Sequence, residues 1–181
     1  MNALVPFFWT AGWALIAQLL LFRFGVFWGG YGLLMVHVYG LLKMPLGWPP
    51  TTYLLIAAST GIIMDLVCFT GGIHLAACTT LGMVYPTLAN ALETRDGMRQ
   101  RHVFDPYQDG WARYAAFVAM AVGIYCAVVF GLQNGWELVG RTAGQTLTSV
   151  LINTGFFLLI QGLLNRPKRG DNRNVSAYPW S

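Results

Sequence analysis

An aspartate and a histidine lie on either side of a glycine turn within the strongly apolar residues 61–86. Asp65 precedes the turn at Gly71 and Gly72, where glycine permits the positive φ angles that tight reversals need, and His74 follows it. An ionisable side chain in membrane hydrocarbon costs roughly 2.5 to 3.5 kcal/mol to insert, so it should have a partner or a use. We interpret Asp65 and His74 as a hydrogen-bonded pair that holds two membrane helices together.

Two other kinds of chemistry are compatible with these residues. Asp65 and Cys68 lie three residues apart and His74 and Cys78 four apart, so each helix offers two zinc ligands on one face. Cysteine is also a common small buried residue, and nothing else in the chain resembles a metal motif, so we expect no metal and no cofactor. A proton relay is the third possibility, which the absence of a second buried carboxylate in the other predicted helices disfavours.

The composition is that of an integral membrane protein. The 181 residues are 56% hydrophobic and 10% charged, with a mean hydropathy of +0.53. So small a chain cannot bury that much apolar side chain in a soluble core. The three cysteines form no Cys-x-x-Cys pair, which argues against a zinc ribbon or a disulfide framework. The first residues lack the basic region of a cleavable signal peptide, so we expect the first helix to be retained.

The elements that position these residues are predicted to be six membrane helices, an all-α bundle over residues 1–164. A spanning helix needs about 20 apolar residues. The second helix contains several glycines and His37, and could be broken or re-entrant. We interpret His37 as bonded to a neighbouring helix. Residues 165–181 are predicted to be a basic tail, disordered on its own. The six predicted helices are 4–22, 25–42, 51–69, 73–92, 111–132 and 142–164.

The positive charges predict the orientation of this bundle. With the N-terminus in the cytoplasm, nine basic residues lie on the cytoplasmic side and only Arg23 and Arg141 lie outside. Lysine and arginine accumulate in cytoplasmic loops, so both chain ends are predicted to be cytoplasmic. Asp65 and His74 then lie toward the outer leaflet. The nine are Lys43, Arg95, Arg99, Arg101, Arg113, Arg166, Lys168, Arg169 and Arg173.

The fifth predicted helix has small residues at every fourth position, which we call the small-residue stripe. Small residues at this spacing allow two helices to approach closely, so we predict a helix-packing face there. The sixth predicted helix has polar residues that should turn toward the bundle. The stripe consists of Ala115, Ala119, Gly123, Ala127 and Gly131.

Enzyme motifs are missing from the sequence. There is no Gly-x-Ser-x-Gly, no His-Glu-x-x-His and no P-loop. An intramembrane aspartyl protease needs two membrane aspartates, and Asp65 is alone in the predicted helices. We therefore expect a protein that is not an enzyme and that binds other membrane proteins.

The central residues resemble a known family. Residues 61–66 read Gly-Ile-Ile-Met-Asp-Leu, residues 72–77 read Gly-Ile-His-Leu-Ala-Ala, and Tyr85-Pro86 follows. This order of aspartate, turn, histidine and late proline resembles the central segment of the rod shape-determining protein MreD family. The Arg95-Asp96-Gly97 loop, the length and the six-helix layout are also similar, whereas the two nearby cysteines and the tryptophan-rich first helix depart from the family pattern.

The resemblance implies a non-enzymatic membrane scaffold subunit of the bacterial cell-elongation machinery. Its expected partners are MreC, bound through transmembrane contacts, and the MreB cytoskeleton, the glycosyltransferase RodA and a penicillin-binding transpeptidase. The expected location is the bacterial inner membrane. The resemblance also implies a fold similar to the substrate-binding S components of energy-coupling-factor vitamin transporters, which makes such a subunit the alternative function. S components usually have an Ala-x-x-x-Ala motif in helix 1, which this chain lacks.

Overall fold

The computed structural model describes residues 4–21, 26–27, 30–92, 103–135 and 138–164. These residues are mainly helical, with one two-stranded antiparallel hairpin that pairs Val26 with Leu33 and Phe27 with Gly32. The elements in chain order are α1 (Leu4–Leu21), β1 (Val26–Phe27), β2 (Gly32–Leu33), α2 (Val36–Leu42), α3 (Pro50–Cys68), α4 (Ile73–Leu92), α5 (Pro106–Asp109), α6 (Trp111–Asn134) and α7 (Val139–Leu164).

Within the described ranges, four helices are long and apolar enough to cross a membrane: α3, α4, α6 and α7. α1 is a shorter apolar helix. Large apolar side chains cover their outer faces; Leu66 of α3 is 70% exposed and Leu163 of α7 is 76% exposed. Such surfaces suit lipid rather than water. The helices indicate a membrane protein, as the composition predicts.

The predicted helices agree with the observed ones except for the second. Residues 73–92 match α4 at both ends, and the other four long helices match within a few residues. The described part of residues 25–42, in contrast, is not one helix: it comprises a short hairpin, two residues without regular structure and the seven-residue α2. This agrees with the alternative that the second predicted helix is broken. Seven helical residues rise only about 10 Å, so α2 alone is too short to cross a membrane. The tail 165–181 and residues 93–102 of the predicted polar loop lie outside the described residues.

Polar side chains of α7 hold residues 30–39 in place; we call this stretch, which runs from Gly30 through β2 into the first turn of α2, the irregular segment. Gln145 donates to the carbonyl of Gly30 at 3.0 Å. Asn153 accepts from the backbone N–H of Met35 at 2.7 Å and donates to the carbonyl of Leu33 at 2.6 Å. Non-helical backbone at membrane depth is tolerated where protein partners satisfy it, and these amides supply them.

The segment 30–39 runs in the same direction as α7. Two further residues of α7 continue the row of contacts: the hydroxyl of Ser149 accepts from Leu33 N at 3.1 Å, and Gln161 accepts from the hydroxyl of Tyr39 at 2.8 Å. Ser149, Asn153 and Gln161 are fully buried. The first two are among the polar residues of the sixth predicted helix that should turn toward the bundle. From residue 145 to residue 161 the helix rises about 24 Å, so the irregular segment follows most of its length.

Two glycines allow the backbones of α3 and α4 to approach closely. A methyl group at Gly61 would lie 2.6 Å from the Cα of Leu75 and 2.8 Å from the carbonyl oxygen of His74. At Gly82 it would lie 2.7 Å from the Cβ of Ala57. Both distances are too short for a side chain, so these glycines allow the two backbones to meet. Gly61 thereby places the end of α3 directly against the start of α4.

Two buried tyrosines hold the proline-rich connector between α2 and α3. The hydroxyl of Tyr85 donates to the carbonyl of Met44 at 2.7 Å, and that of Tyr53 donates to the carbonyl of Pro45 at 2.8 Å. Buried carbonyl groups need such partners when no helix supplies them. This end of the bundle is opposite the α3–α4 turn.

Candidate functional site

The turn between α3 and α4 has the backbone geometry that its sequence predicts. Phe69 ends α3 in the left-handed region at φ 54°, and its side chain is 93% exposed. Gly71 and Gly72 follow with φ of 64° and 100°, values that glycine adopts without strain. The predicted turn residues therefore form the reversal that brings Asp65 and His74 to the same end of the bundle.

Asp65 caps the start of α4. One carboxylate oxygen accepts from the backbone N–H of His74 at 2.9 Å and from the hydroxyl of Thr70 at 2.5 Å. The other accepts from the backbone N–H of Leu75 at 2.8 Å. The first N–H groups of a helix have no partner within it, and the helix dipole also stabilises a negative charge at this end. The carboxylate thus joins α3 to α4.

The structure brings Asp65 and His74 together, but not through the imidazole ring. Asp65 bonds to the main chain of His74, whereas Nδ1 of the ring lies 2.5 Å from the hydroxyl of Tyr125 on α6. Nε2 of His37 lies 2.8 Å from the same hydroxyl. One phenol therefore links two histidines from different parts of the chain, and the result is a three-residue polar cluster: His37, Tyr125 and His74.

The sequence gives little warning of this cluster. His37 was expected to bond to a neighbouring helix, and it does so through Tyr125. Tyr125 lies in α6, which has the highest mean hydropathy of the four helices long enough to cross a membrane, and no neighbouring motif marks it. The one available indication is that a tyrosine inside an apolar helix needs a hydrogen-bond partner when its phenol is buried, and Tyr125 is fully buried.

A cavity of about 230 Å³ borders the cluster. Its lining combines hydrogen-bonding side chains with sulfur-containing and aliphatic ones, and none of its described lining residues is lysine, arginine, aspartate or glutamate. It lies at the same end of the bundle as the α3–α4 turn. The lining residues are Gln18, Leu33, Leu34, Met35, His37, Met64, Cys68, Thr70, His74, Val129 and Gln133.

The four residues considered as zinc ligands do not form a ligand set. Among the residues that the structure describes, no three histidine, cysteine, aspartate or glutamate side chains are grouped so that they could hold a metal ion. Both oxygens of Asp65 already accept hydrogen bonds. Cys78 is fully buried, whereas Cys68 lines the cavity.

The small-residue stripe of α6 is not where helices approach most closely. A methyl group at Gly123 would lie 3.7 Å from a Cγ atom of Val150 on α7, which is ordinary contact. A methyl group at Gly131 would meet nothing within 4 Å, and Ala127 is exposed. α6 does pack on α7 at Gly123, but the space there would accept a methyl group. A methyl group would meet much closer neighbours at Gly61 and Gly82, on α3 and α4, than at Gly123 or Gly131.

A second cavity of about 280 Å³ lies at the opposite end, beside Lys43. Lys43 is only 9% exposed, and its amine lies 5.5 Å from the ring centres of Tyr39 and Tyr114. Burial lowers the pKa of Lys43 to about 8, an effect that the negative charge of Asp105 partly opposes.

Comparison with known proteins does not identify this site: no family model, no curated protein and no solved structure matches the chain.

Proposed function

We propose that this chain is a non-enzymatic membrane scaffold subunit of the bacterial cell-elongation machinery, of the MreD kind. The support is the resemblance of residues 61–86 to that family, together with what those residues do in the fold. Gly61 admits the backbone of Leu75, and Asp65 caps the helix that begins at Ile73. The spacing Gly-x-x-x-Asp thus has a structural use, the joining of two helices.

This joint is the observation that carries the proposal. Asp65 accepts three hydrogen bonds, two of them from backbone, so both of its oxygens hold the start of α4. A group used in this way stabilises a rigid bundle, as a subunit that acts by binding other membrane proteins requires. The rest of the proposal, namely six spans, an inner-membrane location and cytoplasmic ends, rests on the charge distribution and the resemblance.

The proposed partner is MreC, bound through transmembrane contacts, with RodA, a penicillin-binding transpeptidase and the MreB cytoskeleton in the same assembly. The test is affinity purification of the tagged chain from its native membrane in mild detergent, followed by mass spectrometry. Recovery of MreC with cell-wall synthases would support the proposal. A tagged, unrelated multi-span protein from the same membrane is the control, and proteins recovered with both baits are discounted.

One observation favours the alternative, a substrate-binding S component. The cavity at His74 opens at the end that we predict to face outward, where such a subunit would take up its substrate. The same purification separates the two functions. Recovery of ATPase subunits with a shared transmembrane coupling protein, and no MreC, would replace the scaffold proposal.

A further inference from the structure

The direction of the hydrogen bonds in the cluster can be assigned. His37 is 1% exposed, and its Nδ1 is buried with no hydrogen-bond partner in the described part of the chain. A buried N–H without a partner is costlier than a bare acceptor, so the ring proton of His37 belongs on Nε2. Nε2 then donates to the hydroxyl of Tyr125.

The assignment extends through Tyr125 to His74. The hydroxyl of Tyr125 accepts from His37 and has one proton to donate, with Nδ1 of His74 and the sulfur of Cys78 as its neighbours. Thiol sulfur is a weak acceptor and imidazole nitrogen a strong one, so the proton is donated to Nδ1 of His74. A neutral imidazole that accepts at Nδ1 has its own proton on Nε2. Nε2 of His74 bonds to no other described residue, and His74 lines the cavity. The cluster therefore leaves one N–H donor without a described partner, on a residue that lines the cavity.

The surrounding charge indicates which acceptor would suit this donor. Thr70 lines the cavity and donates to Asp65, so a carboxylate lies directly behind the lining. No lysine or arginine is among the described lining residues that could offset a second negative charge. A bound anion would be repelled by the charge of Asp65, whereas a neutral oxygen acceptor would not.

We propose that this cavity is a binding site for a neutral small molecule that has a carbonyl or amide oxygen on an apolar body. The oxygen accepts from Nε2 of His74, and the apolar body packs against Met64 and Val129. A volume of about 230 Å³ suits a compact ligand of this kind. The site does not depend on the scaffold function, since a subunit that binds MreC could also bind such a ligand.

Cys68 offers a direct measurement of occupancy. It lines the cavity and is half-buried, whereas the other two cysteines of the chain, Cys78 and Cys126, are fully buried. N-ethylmaleimide should therefore alkylate the purified, folded protein at Cys68, and Cys68→Ser identifies any reaction elsewhere. Failure of Cys68 to react in the absence of added ligand would overturn the proposal, because the cavity would not be accessible.

The probes are cyclohexanecarboxamide and cyclohexanecarboxylate, which have nearly the same shape but differ in charge. A ligand present at twice its Kd leaves one third of the sites free, so the amide should slow alkylation about threefold at that concentration. The carboxylate at the same concentration should leave the rate unchanged. Equal protection by both, protection by the carboxylate alone, or no protection by the amide would each overturn the proposal.

Two variants of His74 test the assigned donor. The amide of asparagine can replace Nδ1, so His74→Asn should keep the contact with Tyr125 and lose protection by cyclohexanecarboxamide. The longer glutamine can replace Nε2, so His74→Gln should keep protection. Unchanged protection in His74→Asn would contradict the role of Nε2. If either variant fails to fold, the amide and carboxylate comparison on the natural chain still decides.

Discussion

Two regions of this bundle are held together in opposite ways. α3 and α4 meet where side chains are missing, with Gly61 against the main chain of Leu75. α7 and the irregular segment 30–39 meet through hydrogen bonds between polar side chains and main chain, as at Gln145 and Asn153. Along the helices the first contact depends on shape, and Asp65 adds hydrogen bonds only at the turn. The second contact depends on hydrogen bonds from α7 side chains to the main chain of its neighbour.

The contrast shows what each kind of backbone requires in a membrane. A complete helix satisfies its own main chain, so a partner helix can approach as closely as the side chains allow. An extended segment has unsatisfied N–H and C=O groups, so its neighbour must present polar atoms at matching heights. Glycine substitutions should therefore affect the first region most, and the loss of amide groups should affect the second.

The largest effect is expected for Gly61→Ala. The new methyl group would lie 2.6 Å from the Cα of Leu75, which forces the two helices apart. Because main chain cannot rotate away as a side chain can, we expect a loss of about 3 kcal/mol, the upper end of the range for overpacking. The free energy of unfolding can be measured by titration with sodium dodecyl sulfate in mixed micelles. Gly155→Ala on α7, where no atom lies within 4 Å, is the matched control and should not lose stability.

A loss of stability in both variants would mean that the method reports any glycine replacement. An unchanged free energy of unfolding for Gly61→Ala would mean that α3 and α4 are further apart than the structure shows.

The next largest effect is expected for Asn153→Leu. The substitution leaves the N–H of Met35 and the carbonyl of Leu33 without their partner in a buried position. An unsatisfied buried group costs about 1 to 3 kcal/mol, so we expect a loss of about 2 kcal/mol in the same titration. Thr148→Val is the control, because its hydroxyl bonds only to a carbonyl of its own helix. Equal losses would contradict a special role for the irregular segment.

The sequence predicted the first region better than the second. Asp65, the glycine turn and the start of α4 are local, so spacing alone placed them at one end of the bundle. The irregular segment was expected as a helix because apolar residues without clear periodicity fit a membrane helix by length. What distinguishes it is a row of polar residues more than 100 positions away on α7, and a single sequence does not show which backbone they face.

The helix-packing face was predicted from spacing as well, and α6 does contact α7 at Gly123. Small residues recur every fourth position in α6, yet a methyl group at Gly123 meets only Val150, at 3.7 Å. The tight contacts are made by Gly61 and Gly82, which are single glycines in two different helices. Periodicity shows which residues share a face, but whether a second backbone reaches that face depends on how the whole bundle packs.

A smaller effect is expected for Asp65→Asn. Asparagine has one acceptor oxygen where aspartate has two, and it loses the charge that favours the start of α4. We expect a loss of about 1 kcal/mol, which is typical of a removed helix cap. Ser59→Ala is the control on the same helix, because its hydroxyl is exposed and bonds only to the carbonyl of Leu55. An unaltered unfolding curve for Asp65→Asn would argue for a partner-facing or proton-linked role.

The smallest effect, and the one of opposite sign, is expected for Gly123→Ala. At 3.7 Å from Val150 the methyl group makes ordinary contact, and alanine in a helix is favoured over glycine by about 0.5 to 1 kcal/mol. The free energy of unfolding should therefore rise slightly, whereas Gly123→Leu, which must displace Val150, should lower it.

If Gly123→Ala leaves the isolated protein intact but reduces recovery of MreC in the affinity purification, the stripe is a contact for a partner helix. A loss as large as that of Gly61→Ala would instead mean that α6 and α7 pack as closely as α3 and α4, and the contrast between glycine contacts and polar contacts would no longer hold.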